Sequence, residues 1–89
     1  MPMTDMNNEV FFKHLDKLAL FMKEQGFPEA SQSITELLHD TAWTTSSELL
    51  GELRLLLVRL LQDYREKFPR FVDADIKNCI REIDKAFNA

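Results

Sequence analysis

The chain has 89 residues and a net charge of −4, which suits one domain and leaves little room for a second. Its 45% hydrophobic and 29% charged residues are typical of a globular protein and exclude a disordered one. A single cysteine, Cys79, excludes an intramolecular disulfide, and no Cys/His pattern predicts a zinc site. The N-terminus lacks the features of a secretory signal, and Arg54 and Arg59 interrupt the longest apolar run. We therefore expect a cytoplasmic protein that does not span a membrane.

Two helices are predicted in the first half of the chain, after a flexible N-terminus formed by residues 1–7. The first helix runs from about Asn8 to Gln25, because its apolar residues recur on one helix face. Gly26 and Phe27 then fit a Schellman motif, in which the glycine adopts the left-handed conformation. Pro28 suits the first turn of a second helix, which we expect to extend to His39. The predicted buried residues are Phe11, Phe12, Leu15, Leu18, Ala19 and Met22 in the first helix and Ala30, Ile34, Leu37 and Leu38 in the second.

Two further helices are predicted in the second half. Thr45 and Glu48 have the spacing of a capping box, so the third helix starts there and runs to about Lys67, a length of roughly 33 Å. The last helix occupies about Asp73 to Phe87, with Asp73 as its candidate N-cap. No segment predicts a strand. The sequence therefore predicts an all-α, compact four-helix bundle, a single domain over residues 1–89, with the long third helix as its spine. The predicted inward residues are Leu49, Leu53, Leu56, Leu57, Leu60, Leu61 and Tyr64 in the third helix and Val72, Ile76, Ile80, Ile83 and Phe87 in the last.

The third helix carries a second apolar stripe, formed by Gly51, Leu55 and Val58, almost opposite its main apolar face. In one interpretation, the third helix is central and the other three helices cover both faces. In the other, the stripe binds a partner or a second copy of the chain, and Gly51 lets another helix approach closely. The spacing alone leaves both interpretations open.

Catalytic and metal-binding patterns are weak. Glu36 and His39 have the i, i+3 spacing of carboxylate-bridged di-iron sites, but no second Glu-x-x-His occurs, so a solvated pair is favoured. No G-x-S-x-G motif is present, and Cys79 lies in an apolar stripe rather than beside cations. We predict that the protein is not an enzyme and that it has no metal site and no cofactor.

Charge is unevenly distributed along the chain. The segment from Glu24 to Leu53, called the acidic segment below, contains six acidic residues and no Lys or Arg. Such a surface would steer a basic protein toward it and repel the phosphates of a nucleic acid. Alternatively, these acids serve helix starts and solubility, and folding brings arginines from later in the chain alongside them. The predicted partner-binding residues are Glu29, Glu36, Asp40, Trp43, Glu48 and Glu52, with Trp43 as the aromatic anchor.

These observations predict a non-catalytic, cytoplasmic protein-interaction module that binds a basic protein, such as an inhibitor or an immunity-type protein. The alternative is a homodimeric structural or regulatory protein that associates through Gly51, Leu55 and Val58 of the third helix. A small-ligand carrier or an enzyme is a further alternative, for which no convergent polar constellation is found.

Overall fold

The computed structural model of the chain describes residues 8–40 and 46–88, and every regular element in these ranges is helical. The predicted all-α arrangement of four helices is thereby confirmed. The chain divides into two compact units, one within Met1–Asp40 and the other within Thr41–Ala89, called the first and second unit below. The helices are α1 (Asn8–Glu24), α2 (Pro28–Thr35), α3 (Ser46–Asp63) and α4 (Arg70–Asn88), and α2 continues into a π-helical turn (Glu36–Asp40).

In the first unit, α1 packs against α2, and the predicted stop between them is confirmed. Gly26 has a φ of 97°, in the left-handed region that glycine adopts without steric cost. The Phe27 N–H donates to the Met22 carbonyl at 2.9 Å, and the Gly26 N–H donates to the Lys23 carbonyl at 3.2 Å. These two bonds define a Schellman motif. Pro28 then begins α2 in a position where its missing N–H costs nothing.

The buried side chains of the first unit follow most of the predicted pattern. Leu37, Leu38 and Phe12 are only half-buried. Ser31, which was not predicted to be buried, is 7% exposed. The buried apolar residues are Phe11, Leu15, Leu18, Ala19 and Met22 of α1 and Ala30 and Ile34 of α2.

The second predicted helix changes from an α-helix to a π-helix before it ends. Its first two turns are α-helical, but from Glu36 to Asp40 the backbone is a π-helical turn. Within this turn, His39 reaches back to α1, where its Nε2 lies 2.7 Å from Oδ1 of Asp16. Both side chains are about half exposed, so this pair joins α1 to the turn at the surface of the unit.

In the second unit, the predicted end of the third helix was wrong. α3 ends at Asp63 rather than at Lys67. Glu66 has a φ of 67°, and a left-handed residue cannot continue a right-handed helix. With 18 residues, α3 is about 27 Å long rather than 33 Å and is one residue shorter than α4. It is therefore not the longest helix of the chain.

The predicted start of the last helix was wrong as well. α4 begins at Arg70, because the Pro69 carbonyl accepts bonds from the N–H groups of Val72 (3.0 Å) and Asp73 (3.1 Å). Asp73 therefore lies inside the first turn instead of at the cap. There its Oδ2 is 2.9 Å from Nζ of Lys77, one turn further along.

Two side-chain contacts tie the second unit together. Arg54 of α3 donates from Nε and Nη2 to the two carboxylate oxygens of Asp84 on α4, at 2.6 and 3.4 Å. Its hydrogen bond with this carboxylate raises the pKa of Arg54 above its ordinary value. In the turn between the helices, the rings of Tyr64 and Phe68 stack with their centroids 4.9 Å apart. The α3–α4 pair is thus held together by ring stacking in the turn that connects the helices and by an ion pair between the helices further along.

Burial in the second unit corrects two expectations. Phe87, predicted to face inward, is 48% exposed because it lies in the last turn of α4. Leu50, which the predicted face omitted, is buried. Leu56, Leu61, Tyr64 and Ile80 are half-buried. The buried apolar residues are Leu49, Leu50, Leu53, Leu57, Leu60, Phe68, Val72, Ile76, Cys79 and Ile83.

Candidate functional site

One side of α3 is turned toward solvent and holds both apolar and charged residues. We call it the outer face of α3. Leu55, at its centre, is 59% exposed, whereas Leu53 and Leu57 on the opposite side of the helix are buried. The predicted stripe is therefore not covered at this position. The outer face consists of Glu48, Gly51, Glu52, Leu55, Val58 and Arg59, which fall within about 120° around the helix at 100° per residue.

Gly51 has no side chain, so it leaves a depression in the outer face of α3. A Cβ atom placed on Gly51 would meet no other atom within 4 Å, so the space above it is open. A glycine inside a helix costs about 1 kcal/mol relative to alanine. No close packing within the described ranges requires the glycine. Val58, one helix turn beyond Leu55, is half-buried. Leu55 therefore extends further into solvent than Gly51 and Val58 on either side of it.

The acidic segment is exposed wherever the structure describes its predicted binding residues. Glu29 and Glu36 are exposed on α2 and the π-helical turn, and Glu48 and Glu52 are exposed on α3. The side chain of Asp40 and the whole of Trp43 lie outside the described residues. That these groups form one binding surface therefore stays a prediction.

The predicted pairing of Glu36 with His39 can be located in the first unit. Both residues are exposed, as the solvated interpretation expects. Glu36 accepts a hydrogen bond from Nε2 of Gln32 at 2.9 Å, while His39 contacts Asp16. The contact with Asp16 spans 23 residues of sequence, and no motif indicated it.

A groove of about 480 Å³ lies between α1 and α2. Two acidic side chains, Asp16 and Glu36, share it with the cation of Lys23. The helix pairing thus places a base of α1 and an acid of the acidic segment in the same groove. Lys23 precedes the acidic segment, so it is not one of the later arginines that the alternative interpretation of the charge pattern expects, and that interpretation stays a prediction. Leu20, Ser31 and Gln32 also line the groove.

Cys79 is a buried thiol on α4, with only 3% of its surface exposed. Burial, together with the nearby carboxylates of Asp75 and Glu82, raises the pKa of the thiol to about 12. At neutral pH the group is therefore protonated, whereas thiol nucleophiles act as thiolates.

We expect this thiol to make stability fall at high pH. Because the folded pKa lies above the ordinary value of 9.0, the thiol's contribution is complete below pH 9 and is lost as the pH rises toward 12. Denaturation midpoints measured across that range should fall more steeply for the wild-type protein than for Cys79→Ala. The variant differs from the wild type only in lacking this thiol and so serves as the control. Parallel pH profiles would contradict the assignment.

No helix among the described residues is both long and apolar enough to cross a membrane. Comparison with protein-family models, with curated proteins and with solved structures finds no significant match to this chain.

Proposed function

We propose that this chain is a non-catalytic, cytoplasmic protein-interaction module that binds a basic protein, in the manner of an inhibitor or an immunity-type protein. One observation carries the proposal: Glu29, Glu36, Glu48 and Glu52, the predicted carboxylates within the described ranges, are all exposed. They come from a segment that has six acidic residues and no Lys or Arg.

Electrostatics favours a protein partner with an excess of Lys and Arg. Exposed carboxylates attract such a surface over the Debye length of about 8–10 Å and so accelerate encounter. They repel the phosphates of nucleic acids, whose binding requires exposed cations. Lys23 in the groove between α1 and α2 offsets part of this potential near α2, and the exposed Arg59 offsets part of it near α3. Trp43, as the proposed aromatic anchor, would slow dissociation rather than speed association.

The test compares charge reversals placed in each unit. One variant carries Glu29→Lys and Glu36→Lys, a second carries Glu48→Lys and Glu52→Lys, and a control carries Glu9→Lys and Asp63→Lys. All six carboxylates are exposed, so each variant changes the net charge equally at the surface. Circular dichroism should show unchanged helicity in all three.

We expect a basic protein captured from native lysate by the wild-type chain to be retained by the control and lost by the second variant. Its association rate should fall tenfold or more in that variant and should decrease with salt. Equal capture by all variants, or an association rate independent of salt, would contradict the proposal.

A second candidate function is supported by the exposure of Leu55. An apolar side chain 59% exposed beside a glycine with open space above it is suited to helix association. In this case the chain is a homodimeric structural or regulatory protein that associates through α3. Its molar mass in solution, measured by light scattering, separates the candidates: a dimer has twice the 10.4 kDa of the chain.

A further inference from the structure

Two of the three charged residues on the outer face of α3 lie on opposite sides of Leu55 along the helix. Glu52 lies three residues before Leu55 and Arg59 lies four residues after it. The two charged groups are therefore about 10 Å apart along the helix axis and only about 20° apart around it. Both are exposed, and neither forms an ion pair with another described residue. The outer face thus presents Glu52 and Arg59 on either side of Leu55, with Glu48 one turn before Glu52.

Glu52 and Arg59 face opposite charges on a second copy of this helix only when the two helices are antiparallel. In a two-fold symmetric pair of antiparallel helices, the order of residues is reversed on the facing helix. If the axis passes beside Leu55, Arg59 faces Glu52 of the partner subunit, and this contact occurs twice. A parallel pair in register would instead place Glu52 against Glu52 and Arg59 against Arg59, which is repulsive.

The apolar part of the face fits the same orientation. The two exposed Leu55 side chains meet at the axis and bury each other. On the other edge of the face, Val58 of the partner subunit approaches Gly51, where no atom lies within 4 Å of the Cβ position. The same register brings Glu48 to the level of Asp63 of the partner subunit, a like-charge contact that weakens the antiparallel pair, whereas a parallel pair in register contains like-charge contacts only.

We propose that the outer face of α3 binds a second copy of this chain in antiparallel orientation, with the two-fold axis at Leu55 and reciprocal Glu52–Arg59 ion pairs. This arrangement rests on the second candidate function, self-association through α3. To that function it adds the binding partner, which is a second copy of the chain, the antiparallel orientation of the two helices, and the ion pairs that favour this orientation.

The test is the dimer dissociation constant of full-length variants, measured by sedimentation equilibrium over a concentration series. Glu52→Arg alone and Arg59→Glu alone each replace two attractive contacts by two repulsive ones. We expect each to weaken the dimer at least tenfold. The double variant carrying both changes restores attraction in the antiparallel pair, and its dissociation constant should return to within about threefold of the wild-type value.

Leu55→Lys serves as the second probe, because an exposed position tolerates lysine without unfolding. We expect this variant to be a monomer with unchanged helicity. A control, Arg65→Glu, changes an exposed base outside the face and should leave the dimer intact.

The outcomes distinguish the arrangement from self-association itself. A wild-type chain that remains monomeric at millimolar concentration overturns both. A dimer that Leu55→Lys abolishes but the single charge reversals leave unchanged overturns the antiparallel arrangement and supports self-association. A monomeric chain that binds a basic protein, with binding lost in Leu55→Lys, assigns the face to that partner and overturns the inference.

Discussion

Replacing Leu57 with alanine is expected to lower the free energy of unfolding by about 2–5 kcal/mol. Leu57 is 0% exposed, so the truncation removes buried methyl groups and leaves a cavity. A chain of this size has a total stability of roughly 4–13 kcal/mol, so the loss is a large fraction of it. Urea denaturation followed by helical circular dichroism should show a clearly lower midpoint.

Leu55→Ala is the matched control, because it removes the same atoms two residues earlier on the same helix. With Leu55 59% exposed, we expect a change of within about 0.5 kcal/mol. Equal losses at positions 55 and 57 would show that α3 is rotated differently about its axis, and the outer face would then be wrongly assigned.

Gly26→Val is expected to cost about 1–3 kcal/mol. The cause is the backbone, since φ is 97° and a Cβ atom there would meet nothing within 4 Å. A β-branched side chain strongly resists the left-handed conformation, whereas asparagine tolerates it. Thermal denaturation should therefore rank the wild type above Gly26→Asn, and Gly26→Asn above Gly26→Val.

The other glycine of the chain is the control. Gly51 lies within α3 without a positive φ, and its Cβ position is also open. Gly51→Ala should therefore stabilise the monomer by about 1 kcal/mol. Two glycines with equal space are thus expected to respond with opposite sign. A Gly26→Val variant as stable as the wild type would mean that α1 does not end in the Schellman motif.

Helix ends could be predicted from the sequence where the backbone preference of a single residue determines where the helix stops or starts. Gly26 adopts the left-handed conformation at little cost and Pro28 fixes the φ of a first helical turn, so the boundary between α1 and α2 followed from the sequence. The end of α3 did not, because Glu66 adopts a left-handed conformation that its residue type does not favour. The start of α4 at Arg70 did not follow from the sequence either: the Pro69 carbonyl accepts the first bonds of α4, but a proline is also common just after the end of a helix. Proline is compatible with both positions.

The candidate site, too, was predictable from the sequence in part only. The 100° periodicity places Gly51, Leu55 and Val58 on one face without any knowledge of the fold. Whether that face is covered depends on packing, which periodicity does not contain. The contact between Asp16 and His39 could not be predicted, because it depends on where the π-helical turn meets α1.

The short turns within each unit have a kinetic consequence. α1 and α2 are separated by three residues, and α3 and α4 by six. The contacts within each helix pair therefore join residues that are close in sequence. Closing such a short loop costs little conformational entropy, and this cost is offset as soon as the two helices pack. Helical proteins dominated by such local contacts fold in microseconds to milliseconds. Synthesis adds only about 5–20 residues per second, so the first pair has time to form its contacts before the second pair has been translated.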